Sequence, residues 1–317
     1  MAHPRACAVP VDVNPGIVGE ASRASGIIAP HNTGGGAPLT TGVTVQLAVD
    51  TLAATALYAL VALAASLAYN GTGVLHLAIG QVAVGGGLVA AVLQASGIPL
   101  VLAIVAGLGV GAALSAVAER TLVAPRQDRP LIAAALLVAS AVVLQETLSG
   151  LFPKPAYQFP TTSGTLHLPG NALVRASDLL TITVVVVVAV AAALVVRSPR
   201  LGAALRVTAS APVLAERLGV GTARVRTVSF AVSGAFATVA VLLAAGRFPL
   251  AAGGGSVLAI RGIAASAAGR MTSPPRALGA ALLIAAVEVV GDYQLGGGGE
   301  FLCDAAAVLL VAASWRR

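Results

Sequence analysis

Charge is what this chain has least of. Of its 317 residues only 10% are charged and 3% aromatic, with two cysteines, two methionines, one tryptophan and a single lysine, Lys154. A soluble domain carries about 25% charged and 45–50% apolar residues. This chain is 57% hydrophobic, with a mean hydropathy of +0.93. Such a balance identifies an integral membrane protein. The scarcities also exclude chemistries. A nucleotide-cradling Gly-Lys-Ser/Thr loop needs its lysine on the phosphates, and Lys154 sits in Phe-Pro-Lys-Pro. Cys7 lies in a polar tail and Cys303 in a distant apolar run, so neither a disulfide nor a metal pair is expected. No His/Cys ligand cluster, nucleophile elbow or spaced carboxylate pair is present, and no catalytic, metal or cofactor site is expected. The net charge of +7 comes from arginines in short loops. It reads as topology and attraction to anionic lipid headgroups, not as a nucleic-acid footprint.

What is present is a succession of apolar runs. Residues 1–40 form a polar leader with Pro4, Pro10, Pro15, Pro30, Pro38 and a glycine triplet at 34–36. It has no apolar core behind a basic start, which argues against a cleaved signal and for a disordered tail. The remaining 41–317 read as one membrane domain. Runs of spanning length cover Thr44–Ala68, Val74–Leu93, Pro99–Ala118, Leu131–Leu151, Asp178–Val196 and Thr227–Ala245, each near the ~20 residues that cross a bilayer core. Ser256–Ala268, Ala277–Val290 and Phe301–Ala313 are shorter, as expected of broken, re-entrant or tilted helices. The expected fold is therefore an all-α polytopic bundle of about eight or nine membrane segments. Val74–Leu93 contains Gly80 and Gly85–Gly87, and a discontinuity is expected there.

Arginine sets the orientation. Glu119–Pro130 carries three, Arg197–Arg226 six, Arg270–Arg276 two, and the chain ends Arg316–Arg317. Counting alternate sides, these segments fall together, and the positive-inside rule makes that side cytoplasmic. The block 197–226 is also patterned. Gly202 to Ala209 can form two helical turns. Pro212 suits the first turn of a second helix, and Gly219 suits its C-terminal stop. Leu214 and Leu218 share one face of that second helix, while Glu216 and Arg217 point elsewhere. An apolar ridge amid arginines fits a partner's groove or an amphipathic element resting on lipid; the pattern allows both.

The order Gly202-Ala-Ala-Leu-Arg, then Ala-Pro-Val-Leu-Ala-Glu-Arg-Leu-Gly-Val, then Ser-Phe-Ala-Val-Ser-Gly-Ala-Phe-Ala resembles the cytoplasmic loop of branched-chain amino-acid ABC permeases, which are related to ribose-type sugar permeases. Gly202, Arg206, Pro212, Ala215, Gly219 and Phe230 match that pattern. Gly73-Val-Leu-His-Leu-Ala-Ile-Gly-Gln resembles the family's early motif near the translocation path, with His76 where asparagine is usual and Ile79 where histidine is frequent. Gly269 to Gly279, followed by Glu288, resembles a later motif, with Arg270 and Arg276 in place of glycines. The resemblance implies that the basic loop is a coupling helix docking into an ATPase subunit, through Gly202, Arg206, Pro212, Leu214, Ala215, Arg217, Leu218 and Gly219. It places His76, Gly80, Gln81, Gly85 and Glu288 along the path. The implied partners are two ABC ATPase subunits, a second permease subunit, an extracytoplasmic solute-binding protein and the lipid bilayer. The implied activity is import of branched-chain or other small amino acids by alternating access, across a prokaryotic plasma membrane, with ATP hydrolysed on the partner and no cofactor on this chain.

Ionisable residues within apolar runs are costly and need a reason. Asp50 and Asp178 read as helix N-terminal acids, and Glu146 as an interface residue. Arg261 needs an acid, and Glu288 or Asp304 is the expected partner. Glu288 reads equally as a packing partner or a path residue, and His76 and Gln81 as path groups or interhelical hydrogen bonds. A membrane-embedded carboxylate at Glu288 leaves open a different class, an ion- or proton-coupled secondary transporter. The lost glycines at Arg270 and Arg276 leave open a non-transporting subunit.

Overall fold

A computed structural model describes residues 41–160, 164–168, 172–197, 202, 207–208, 212–271, 274–295 and 299–315. The leader 1–40 lies outside the described residues. The elements in chain order are α1 (Thr41–Thr72), α2 (Ile79–Ala95), α3 (Leu100–Ala118), α4 (Pro130–Leu151), β1 (Thr165–Leu168), β2 (Ala172–Arg175), α5 (Ala176–Arg197), α6 (Pro212–Arg217), α7 (Thr222–Ala244), α8 (Gly255–Ala268), α9 (Pro274–Leu295) and α10 (Gly299–Trp315). Every apolar run therefore becomes a helix, the form in which a chain satisfies its own backbone groups in lipid. Prolines mark the starts. Pro99 precedes α3, and Pro130 and Pro274 open α4 and α9, where a missing N–H costs nothing.

The chain is mostly helical, as expected, and among the described residues its only strands, β1 and β2, pair as an antiparallel hairpin between α4 and α5. Two short segments of mixed polarity pair there rather than coil. Next, five described helices are long and apolar enough to span a membrane: Gly42–Thr72, Leu100–Arg126, Pro130–Leu151, Thr222–Ala244 and Arg276–Gln294. Four are shorter: Ile79–Ala95, Ala176–Ala192, Gly255–Ala268 and Phe301–Ala312. The run Ala277–Val290 belongs to the spanning group, because α9 continues past Val290 through Gly291 and Asp292 to Leu295. Finally, the break near Gly80 precedes it. Residues 73–78 form a non-helical turn, and α2 then runs unbroken through Gly85–Gly87.

Contacts between the ends of helices fix the topology. Asn70 Nδ2, at the end of α1, donates to the Met271 carbonyl after α8 (3.1 Å). His76 meets Ser115 near the end of α3 and stacks on Phe230 near the start of α7. Arg226 bonds Gln127 in the connection after α3. The ends carrying Arg120–Arg129, Arg217–Arg226 and Arg270 therefore lie together, as the arginine pattern requires. The opposite end holds Asp50, Asp178 and Arg247, and Tyr157 pairs there with Leu250 through two 2.8 Å backbone bonds.

The bundle is built around α2, whose residues 79–88 are all buried. It contacts α3, α4, α7 and α8, while α1 packs on α5, α7, α8 and α9. Small residues let backbones touch. A Cβ on Gly86 would lie 2.6 Å from the Gly107 carbonyl oxygen, one on Gly111 would land on Thr238 Oγ1, and one on Gly80 would land on the Gly255 carbonyl.

Candidate functional site

The cytoplasmic-type element forms as the sequence dictates. Helix α6 opens at Pro212, and Gly219 follows its end with φ of +79°, a left-handed value that glycine adopts without a Cβ penalty. The Gly219 N–H donates to the Glu216 carbonyl and the Val220 N–H to the Ala215 carbonyl, both at 3.0 Å. That is the paired-bond stop in which a left-handed residue satisfies the last carbonyls. Ala215 is buried and anchors the helix, whereas Leu214 is 53% and Leu218 67% exposed. Arg217 is exposed beside them. Thr222 Oγ1, in the first turn of α7, donates to Glu216 Oε1 at 2.7 Å, tying the short helix to a membrane-spanning one. Gly202 is helical and buried. Arg206 lies outside the described residues.

Next to this element, α3 widens into a π-type turn over Glu119–Val123. Glu119, at the start of that turn, continues the buried stripe of Ala103, Gly107, Gly111 and Ser115 and is itself buried. Thr227 Oγ1 donates to Glu119 Oε2 (2.7 Å), and Arg226 Nε stands 3.5 Å from Glu119 Oε1. Arg226 Nη1 donates to Gln127 Oε1 at 2.6 Å. Polar and ionic bonds thus link α3 and its following turn to α7.

The residues expected along a path are dispersed over several helix contacts. His76 is buried, with Nε2 2.9 Å from Ser115 Oγ and its ring 4.6 Å from that of Phe230. Gln81 Nε2 donates to Gln145 Oε1 on α4 at 2.9 Å. Gly80 abuts α8 at Gly255 and Ala259, and Gly85 faces Leu114 and Leu148.

Glu288 belongs to a fourth place. Tyr58 of α1 donates its hydroxyl to Glu288, and Arg261 of α8 pairs with the same carboxylate. Arg261 Nη1 also donates to Tyr58 Oη (2.9 Å), and Arg261 Nε lies 3.5 Å from Asp304 Oδ1 on α10. Both acids expected for Arg261 are therefore its partners. The cluster joins α1, α8, α9 and α10, and each charge that left water has an opposite charge beside it.

Of the two acids expected at helix N-termini, Asp178 is one and Asp50 is not. Asp178 does sit in the first turn of α5, but Asp50 is deeper in α1, and both carboxylates accept from Arg247: Nε to Asp178 at 2.8 Å, Nη2 to Asp50 at 3.1 Å. One guanidinium thus ties α1, α5 and the segment after α7. Glu146 is exposed on α4. Sequence reasoning missed Tyr58, Ser115, Gln145 and Arg247 as partners. Their signal was available, since each is polar and adjoins or lies within an apolar run.

Among the described residues, no group of three or more His, Cys, Asp or Glu is placed to hold a metal ion. No curated protein matches the chain. Among solved structures, PsaBC from Streptococcus pneumoniae in complex with Fab is similar at 15% identity and a TM-score of 0.47, covering 84% of this chain and 90% of that one. The family model described as branched-chain amino acid transport system / permease component matches residues 47–313. With its multi-pass apolar helices and the motifs distributed along them, the chain belongs to this permease-component family and is a membrane transport subunit, not an enzyme.

Proposed function

We propose that this chain is the permease subunit of an ATP-driven importer of branched-chain or other small amino acids, working by alternating access. Separate ATPase subunits hydrolyse the nucleotide and grip α6. A second permease subunit completes the path, and an extracytoplasmic binding protein delivers the solute. The observation that carries the reading is the uncovered apolar ridge of α6, Leu214 and Leu218, on the arginine-rich face. Its bond to α7 through Thr222 and Glu216 supplies a route by which a push on α6 reaches the bundle. Sparse polar lining is compatible with import, because in this scheme the binding protein selects the solute.

The test is co-purification. The chain is expressed with an ATPase subunit, and Leu214→Asp combined with Gly219→Val should abolish the pairing while membrane insertion is unchanged. Pairing that survives would remove α6 as the docking element. A secondary carrier would need Glu288 for coupling, whereas its contacts with Arg261 and Tyr58 favour a packing role. Glu288→Gln separates the two: loss of leucine uptake into proteoliposomes, with ATPase pairing intact, would favour the carrier.

A further inference from the structure

The arginine-rich end carries a cleft that docking through α6 leaves unused. It encloses about 300 Å³ between the end of α3 and the start of α7, and Glu119, Arg120, Arg224, Arg226, Thr227 and Val228 line it. Three guanidinium groups face one carboxylate. That carboxylate is already engaged by Arg226 and by the Thr227 hydroxyl. Arg226 is 91% buried, and its Nε has no hydrogen-bond partner among the described residues. Arg120 and Arg224 are exposed, and among the described residues neither has an ion-pair or hydrogen-bond partner. The cleft therefore holds two uncompensated positive charges and a buried donor in want of an acceptor.

Its margin is apolar. Val228 lines the cleft and is 54% exposed, and Val117, a turn before Arg120, is 57% exposed. Both lie on spanning helices, where exposed aliphatic surface meets acyl chains. A ligand fitting both halves has an anionic head and aliphatic tails beside it. We propose that the cleft binds the phosphate of an anionic phospholipid of the arginine-rich leaflet. Arg120 and Arg224 grip the phosphate oxygens, Arg226 backs them, and the tails run along α3 and α7. Arginine suits the task because its fork presents paired N–H donors to phosphate oxygens. A soluble phosphate shares the head chemistry but has no use for the valine margin, and an acidic protein segment meets that margin only from outside the bilayer, whereas Val117 and Val228 lie on helices of spanning length. The inference stands apart from ATPase docking, since it uses no residue of α6.

The purified full-length chain, delipidated in detergent, is titrated with phosphatidylglycerol, phosphatidylcholine or inorganic phosphate, and bound lipid is counted by native mass spectrometry. Phosphatidylglycerol should be retained at one site and phosphatidylcholine should not. Arg120→Gln and Arg224→Gln should each weaken retention about fivefold, and together about thirtyfold. Both side chains are exposed, so the variants should fold. Arg129→Gln, on the same end but outside the cleft, is the control for diffuse attraction. Equal weakening by Arg129→Gln would overturn the site. Competition by millimolar inorganic phosphate would assign the cleft to a soluble anion and overturn the lipid. Unchanged lipid retention in the double variant, with loss of ATPase co-purification, would give the cleft to a protein partner and also overturn it.

Discussion

Replacing Arg261 with methionine tests how the α1–α8–α9–α10 junction is held. The guanidinium is 4% exposed, pairs with Glu288, bonds Tyr58 and lies 3.5 Å from Asp304. Removing it strands the Glu288 carboxylate among helices with Tyr58 as its remaining donor. Breaking one side of a buried pair costs about 3–5 kcal/mol. At roughly 2–3 °C per kcal/mol for a chain of this size, the apparent Tm in detergent should fall by about 6–15 °C. Glu288→Gln should be milder, at about 1–3 kcal/mol, since Arg261 keeps Asp304 and the amide can still bond Tyr58. The double replacement Arg261→Met with Glu288→Met leaves no buried charge, only the Tyr58 hydroxyl in need of a partner. It should recover at least half of the single-variant loss. The assay is thermal unfolding of the four proteins in one detergent, with fluorescence-detected size exclusion to confirm folding. A double variant as unstable as Arg261→Met would refute the reasoning, because the cost would then come from lost packing and not from an orphaned charge.

Three further outcomes follow from the same structure. Gly111→Ala, whose Cβ would land on Thr238 Oγ1, should cost about 1–3 kcal/mol by overpacking. Gly109→Ala, with nothing within 4 Å, should be neutral, and comparative Tm values in one detergent check the pair. Arg270, at φ of +54°, sits where the related motif has glycine. Arg270→Gly should stabilise by about 1 kcal/mol, the strain a side chain bears in the left-handed region, provided the contact its side chain makes is worth less; a fall in Tm would refute this. Arg247→Gln leaves Asp50 and Asp178 without their shared cation. It should destabilise by about 3 kcal/mol, and protease sensitivity of the segment 244–255 should rise with it; unchanged sensitivity would count against the clamp.

Much of the bundle was legible because lipid imposes a length and a polarity. Runs near the spanning length could only become helices, and the arginines placed their ends. Pro212 and Gly219 bounded α6 for reasons local to the backbone. Arg261 announced that it needed an acid, because an unpaired guanidinium in an apolar run is too costly, and the two acids named were the right ones. Long-range partnership was not legible. Arg247 joins carboxylates 69 and 197 residues away, and nothing local to Asp50 or Asp178 says that they share it. The π-type turn at Glu119 escaped notice because one extra residue leaves composition and periodicity almost unaltered. The hairpin was missed although Thr165–Leu168 and Ala172–Arg175 flank a Pro-Gly-Asn sequence, a turn signal between two short runs. Dispersal of His76, Gln81 and Glu288 over separate helix contacts is likewise a tertiary fact, invisible to a motif that lists them in order.

The contacts of Gly86 with Gly107, Gly111 with Gly234 and Gly80 with Gly255 put main chain against main chain. Interleaved leucines can yield to a shove by hopping rotamers; bare peptide planes have no such slack. Along this seam α7 bears on α3, and α3 on α2, through peptide planes with no side chain between them, so the glycines that make the seam thin also leave it little to compress.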